Sequence, residues 1–326
     1  MSRVLIVHTG GTLGMSGTPL EPGAYAEALT DRLPELSQIA DLETQIPFNL
    51  DSSDVGPSHW RQLAELIGRE RENYDGFVVV HGTDTMAYTA SALAYALRGL
   101  DRPVVLTGAQ RPLAALRTDA RRNLADSVEI ATRSVPEVAI CFDGLLLRGC
   151  ATTKTNVRDY RAFESPGAPP LARLGVDIEF ADHIRRPEED FEIHPRFDPR
   201  VTVIEVHPGM EPAHLEAILG SERPPRGVVL AAYGVGTIPT ADRSIAPVIE
   251  EAIEAGLEVL VVTQSFGKVD LSLYENSLVL QEAGAVGGGE MGTEAAVTKL
   301  MHALARFDEP AERRGYLQTN IAGELD

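Results

Sequence analysis

The amino-acid sequence predicts an α/β protein with two α/β domains, of which the larger, N-terminal one is built on a parallel sheet. Short apolar runs at residues 4–8 and 77–81 are typical of strands buried on both faces of such a sheet. Segments with helical spacing of apolar residues lie between these runs, and this βαβα alternation indicates a sheet covered by helices. A chain of 326 residues is also too long for one ordinary core, which favours two domains.

The alternation can be followed along the chain. In the first half, strands are predicted at residues 4–8, 42–48, 77–81, 104–107 and 138–142, and helices at 25–33, 60–70, 86–97 and 120–131. A stretch rich in proline and charge then interrupts the pattern. Beyond it, strands are predicted at 201–206, 228–231 and 259–262, and helices at 215–219, 244–255 and 294–305. We therefore expect an N-terminal domain over 1–183, a linker over 184–200 and a C-terminal domain over 201–326.

Composition excludes several classes of protein. The formal net charge of -19 would repel nucleic acid, so we expect no nucleic-acid partner. No apolar run is long enough to cross a membrane, and the N-terminus lacks the features of a signal peptide, so we expect a cytoplasmic protein without membrane contact. Two cysteines, Cys141 and Cys150, are too few for a disulfide scaffold or a four-cysteine zinc site. We expect no metal and no cofactor.

Two loops with hydroxyl side chains follow predicted strands, where ligands bind in open α/β sheets. The first is Thr-Gly-Gly-Thr at 9–12, whose glycines allow a sharp turn with exposed N–H groups. Alone, it could equally be a strand-to-helix turn or a phosphate cradle. The second is His-Gly-Thr-Asp-Thr at 81–85, where capping of the next helix would explain one residue but not the run.

The use of lysine singles out a third segment, Thr-Thr-Lys-Thr-Asn at 152–156. Only Lys154, Lys268 and Lys299 are lysines among the 29 basic residues, and the others are arginines. An isolated lysine in a loop is usually just solvated. Lysine differs from arginine in that burial can make its amine a base, so Lys154 is a candidate for proton transfer.

These segments together resemble a known family. Residues 9–14, Thr-Gly-Gly-Thr-Leu-Gly, resemble the first signature of the bacterial-type L-asparaginases. Residues 76–86 match the second signature along its whole length. Further blocks resemble the family in the expected order at 51–54, 107–112, 233–236 and 285–289. The likeness covers essentially the whole chain and is closest to the cytosolic, type I branch.

The resemblance implies hydrolysis of L-asparagine to L-aspartate and ammonia. By motif position, Thr12 would be the nucleophile that forms a β-aspartyl ester, and Thr83, Asp84 and Lys154 would form a second hydroxyl, carboxylate and amine group. A hydroxyl is a poor nucleophile until a base removes its proton, and a desolvated lysine can supply that base. Family members usually carry a tyrosine in the lid after the glycine loop, and Tyr25 is the nearest one here.

The resemblance also implies how substrate is bound. Ser52, Ser53 and Asp84 would hold its α-carboxylate and α-amino groups. The backbone N–H of Thr83 would stabilise the oxyanion, and the carbonyl of Ala109 would orient the leaving amide. It further implies a flavodoxin-like C-terminal domain and assembly into a homodimer or homotetramer.

Three alternatives stay open. One is a glutaminase-asparaginase, and another is the amidotransferase component that supplies ammonia for tRNA-linked synthesis. That component usually has an extra N-terminal domain, whereas this chain begins at its first strand. The third is a sensor that binds an amino acid without catalysis, which the combination of Thr12, Thr83, Asp84 and Lys154 disfavours.

Overall fold

The chain forms two compact units in the computed structural model, Met1–Pro195 and Arg196–Asp326. The structure describes residues 1–16, 21–22 and 32–325. The helix predicted at 25–33 lies, apart from its last two residues, outside the described residues, and so does Tyr25. Within the described ranges, no helix is long and apolar enough to cross a membrane.

The first unit is organised around an eight-stranded sheet. Its strands are β1 Arg3–His8, β4 Asp41–Gln45, β5 Gly76–Val80, β7 Val104–Thr107, β8 Val138–Phe142, β9 Leu145–Arg148, β12 Ala172–Leu174 and β13 Ile178–Phe180. They lie in the sheet in the order β13-β12-β9-β8-β7-β5-β1-β4. The five from β8 to β4 are parallel, which confirms the predicted parallel core, and the other three add antiparallel pairs.

Helices and short ribbons complete this unit. Three α-helices are described, α1 Pro57–Glu70, α2 Met86–Ala96 and α3 Ala120–Ala131. Strands β5, β7 and β8 are buried at every position, which is why the sequence reads as continuous apolar runs there. Three antiparallel two-stranded ribbons are formed by β2 Met15–Ser16 with β3 Glu21–Pro22, β6 Leu97–Arg98 with β14 Glu192–Ile193, and β10 Thr153–Lys154 with β11 Phe163–Glu164.

The second unit has a separate parallel sheet, as predicted. Its four strands lie in sequence order, and all neighbours are parallel. They are β15 Val201–Glu205, β16 Gly227–Ala232, β17 Glu258–Thr263 and β18 Val286–Gly287. The helices described here are α4 Pro212–Leu219, α5 Ala246–Glu254, α6 Glu275–Glu282, α7 Thr293–Arg306 and α8 Pro310–Gln318.

Several elements differ from the sequence-based prediction. Strand β9 was missed, although Asp143 and Gly144 between two apolar runs form a tight turn with φ of 48° and 74°. An Asp-Gly pair in that setting is a strong hairpin signal. The segment predicted as a linker at 184–200 contains β14, which pairs with β6 in the first unit. The domain boundaries themselves stay a prediction.

Candidate active site

The loop after β1 and the loop after β5 touch through their glycines. Gly10 and Gly11 have φ of 118° and 85°, which only glycine adopts readily. A Cβ atom on Gly11 would lie 2.4 Å from the backbone nitrogen of Gly82, so a side chain cannot fit between the loops. Thr12 and Thr83 are the next residues after these two glycines. The contact therefore brings both predicted threonines to the same edge of the sheet.

The neighbouring segments close around this contact. A Cβ on Gly82 would lie 2.7 Å from the Ser52 Oγ, so the buried Ser52 side chain packs directly on the loop after β5. The Thr85 hydroxyl donates to the Ser52 carbonyl at 2.6 Å. Thr12 begins a short 3-10 turn, Thr12–Gly14.

Lys154 links the remaining predicted catalytic residues. Its Nζ donates to the Thr83 Oγ1 at 2.8 Å and to the Asp84 Oδ1 at 2.5 Å. The lysine side chain is 13% exposed, whereas that of Asp84 is 68% exposed. The Asp84 carboxylate thus has room for a second cationic group, while the Lys154 amine is held against the Thr83 hydroxyl. Strand β10 positions the lysine for these contacts.

Gln110 is a second hydrogen-bond partner of the Thr83 hydroxyl, and no role was predicted for it. The Thr83 Oγ1 donates to the Gln110 Oε1 at 3.4 Å. Gln110 follows Ala109, which is buried just beyond the carboxyl end of β7. Its place in a loop after a central strand was the signal that could have identified it.

Ser53 is placed differently from the other predicted binding residues. It is exposed, and its hydroxyl donates to the Asp51 Oδ1 at 2.7 Å. The Ser53 hydroxyl and backbone N–H together hold the pKa of the Asp51 carboxyl below its ordinary value. The structure therefore brings Thr83, Asp84 and Lys154 into direct contact, with Ser52 beside them, while Ser53 is bonded to its neighbour.

His81 adjoins the site but is occupied structurally. It is fully buried, its Nδ1 lies 2.7 Å from the Gly82 carbonyl, and its Nε2 lies 3.0 Å from the Thr89 Oγ1. Since a carbonyl only accepts, the proton belongs on Nδ1. Burial lowers the pKa of His81 to about 4, so it is neutral near pH 7. Across the described residues, no three His, Cys, Asp or Glu side chains are grouped as a metal would require.

The sequence of the chain matches a known enzyme family. Residues 3–186 match the family description "Asparaginase, N-terminal", and residues 200–317 match "Glutaminase/Asparaginase C-terminal domain". The chain therefore belongs to the asparaginase family. It is an enzyme of the amidohydrolase class.

Individual relatives agree with this assignment. L-asparaginase 1 of Escherichia coli K12 is 34% identical over 333 residues, covering 99% of this chain and 97% of that protein. A component of the glutamyl-tRNA(Gln) amidotransferase of Pyrococcus abyssi is 34% identical over 343 residues, covering 100% of this chain and 77% of that protein. The solved structure of the thermostable L-asparaginase from Thermococcus kodakarensis superimposes with a TM-score of 0.91 at 33% identity, covering 99% of each chain.

Proposed function

We propose that the enzyme is an L-asparaginase with Thr12 as its covalent nucleophile. The observation that supports the proposal is the close approach of Gly11 to Gly82, which directly precede Thr12 and Thr83, together with the hydrogen bond from Lys154 to the Thr83 hydroxyl. To attack an amide, a hydroxyl needs a base that takes its proton. It also needs hydrogen-bond donors that stabilise the negative charge developing on the carbonyl oxygen. Lys154 and the backbone N–H of Thr83 are the groups proposed for these two roles.

The proposed reaction has two balanced steps. The Thr12 Oγ attacks the side-chain amide carbon of asparagine, its proton passes through a base to the amide nitrogen, and ammonia leaves. Water then attacks the resulting β-aspartyl ester, which releases L-aspartate and restores the hydroxyl. Lys154, through Thr83, is the proposed base. The tetrahedral intermediate of each step needs hydrogen-bond donors, for which the backbone N–H of Thr83 is proposed.

Substrate binding is proposed to use the other residues around the loops. The exposed Asp84 carboxylate would pair with the α-ammonium group, and Ser52 and Ser53 would bind the α-carboxylate. The Ala109 carbonyl would accept from the amide N–H₂ group. Location in the cytoplasm and assembly into a homodimer or homotetramer are proposals on the strength of the family resemblance.

A second candidate is hydrolysis of glutamine, alone or to supply ammonia to a partner enzyme. It is favoured by the identity to the amidotransferase component of Pyrococcus abyssi. Glutamine presents the same amide one methylene further from its α-carbon. One methylene is worth only about 1–3 kcal/mol in discrimination, so both amides need testing.

The test is release of ammonia from asparagine and from glutamine by the purified chain. We expect turnover of asparagine with a kcat/KM at least about tenfold above that for glutamine. Preference for glutamine would replace the proposal by the second candidate. Binding of either amino acid, measured by calorimetry, without ammonia release would identify a sensor instead.

A further inference from the structure

The Thr83 hydroxyl is hydrogen-bonded to two groups, one that donates to it and one that accepts from it. A hydroxyl has one proton to donate and two lone pairs with which to accept. Lys154 donates to it at 2.8 Å, so the single Thr83 proton is directed to the Gln110 Oε1 at 3.4 Å. Removing the Gln110 oxygen would leave this proton without a fixed direction.

The orientation of the Gln110 amide is fixed from its other end. Its Nε2 donates to the Asp159 carbonyl at 3.0 Å and to the Asn156 carbonyl at 3.4 Å. A flipped amide would place its oxygen against two carbonyls, which cannot donate, so the oxygen must face Thr83. These two carbonyls belong to the loop that follows Lys154. Gln110 thus connects the hydroxyl with the segment that carries the amine.

The backbone of Gln110 is also held. Its N–H donates to the Asp119 Oδ2 at 2.8 Å, and the Arg111 N–H donates to the Asp119 Oδ1 at 3.1 Å. Asn123 donates from Nδ2 to the same Asp119 Oδ2 at 3.2 Å and to the Gly108 carbonyl at 3.0 Å. The side chain of Gln110 therefore extends from a loop that is held by Asp119, just before α3, and by Asn123 on α3.

We propose that Gln110 is a positioning residue that holds the Thr83 oxygen beside the Lys154 amine. From this position the hydroxyl can turn its proton from Gln110 to the amine once the amine is deprotonated. The inference rests on the proposed function, because Thr83 and Lys154 are assigned to proton transfer there. Gln110 acts through Thr83. Its loss should therefore lower the rate of chemistry more than the affinity for substrate.

Gln110→Met keeps the length of the side chain and removes the amide. We expect kcat to fall on the order of tenfold, with KM changed less than about threefold. Gln62→Met is the matched control. Gln62 lies on α1, where its Nε2 donates to the Pro47 carbonyl at 3.2 Å, and its loss should leave kcat unchanged.

A double-mutant cycle separates positioning from general structure. Serine lacks the methyl group that restricts the threonine side chain, so Thr83→Ser should depend more on Gln110 for its orientation. Gln110→Met should then cost at least about threefold more in kcat in the Thr83→Ser background than in wild type. Equal factors in the two backgrounds would overturn the proposal, since an effect of Gln110 that does not act through Thr83 is independent of the residue at position 83.

A second cycle needs no substrate and distinguishes failure of this proposal from failure of the proposed function. Gln110→Met and Thr83→Val are combined, and the unfolding equilibrium constant is measured in urea. Coupling of at least about twofold is expected for residues that share a hydrogen bond. If wild type releases no ammonia, the proposed function fails, and this coupling still supports the contact. Strictly additive effects of the two substitutions on the unfolding equilibrium constant would refute the contact and, with it, the positioning proposal.

Discussion

The contact between Gly11 and Gly82 gives the sharpest quantitative prediction, which concerns Gly11→Ala. The new Cβ would lie 2.4 Å from the Gly82 nitrogen, whereas ordinary van der Waals contact begins at 3.4 Å. The two loops must therefore separate by about 1 Å, and a misplacement of that size can cost on the order of 10²-fold in rate. The φ of 85° adds roughly 1–2 kcal/mol of destabilisation for a residue with a Cβ.

The assay measures kcat for ammonia release from asparagine in protein whose cooperative unfolding has been verified. Gly315→Ala is the matched control, because nothing lies within 4 Å of a Cβ added there and Gly315 is inside helix α8. It should keep full activity and gain up to about 1 kcal/mol in stability. A folded Gly11→Ala enzyme with wild-type kcat would refute the idea that this close approach positions the site.

Three further predictions concern charged and titratable side chains. Lys154→Arg and Lys154→Met should each lose on the order of 10²–10⁴ in kcat, because arginine keeps its charge but cannot give up its proton. Lys299→Met should lower the unfolding free energy by about 3–5 kcal/mol in urea titrations, since it leaves the fully buried Glu324 carboxylate without its cation. Burial lowers the pKa of His8 and His81 to about 4, so stability should fall as pH drops, by about 1 kcal/mol per imidazole between pH 7 and 5.5.

Each of these three predictions has a control variant or a result that would contradict it. Near-wild-type turnover of Lys154→Arg would reduce that lysine to an electrostatic role. Lys268→Met removes a lysine that is 59% exposed beside Glu290, and it should cost only about 0–1 kcal/mol. A loss as large for Lys268 as for Lys299 would contradict the burial argument. As the pH falls from 7 to 5.5, the two imidazoles bind more protons in the unfolded state than in the folded state. A stability that is flat over this range would contradict the prediction.

Much of the fold could be predicted because strands that are buried on both faces consist of continuous apolar runs. Strand β5 has only apolar side chains and a glycine, and both of its faces are covered, so its position was predicted to within one residue. The antiparallel β12 and β13 were missed because they are three residues long, with exposed positions that break the apolar pattern. Helix α6 was missed because its apolar residues lack a helical period on one face.

The candidate site could be predicted where its residues stand together in a short sequence motif. It could not be predicted where a residue's contacts come from distant parts of the chain. The run at 81–85 and the rarity of lysine pointed to Thr83, Asp84 and Lys154, which lie in hydrogen-bond contact. The proposed role of Gln110 depends on which carbonyls face its amide, and these come from a loop 46 to 49 residues away. No local pattern encodes such a contact.

The most direct test of the central claim is detection of a covalent β-aspartyl ester on Thr12. Wild-type and Thr12→Ser enzymes are mixed with asparagine, quenched in acid within one turnover, digested and examined by mass spectrometry. The proposed mechanism predicts an aspartyl adduct on the peptide that contains residue 12 in both, and none in Thr12→Ala. It also predicts that Thr12→Ala folds normally and loses on the order of 10³-fold or more in kcat. An adduct on another residue, or a folded Thr12→Ala enzyme with more than about a tenth of wild-type kcat, would contradict it.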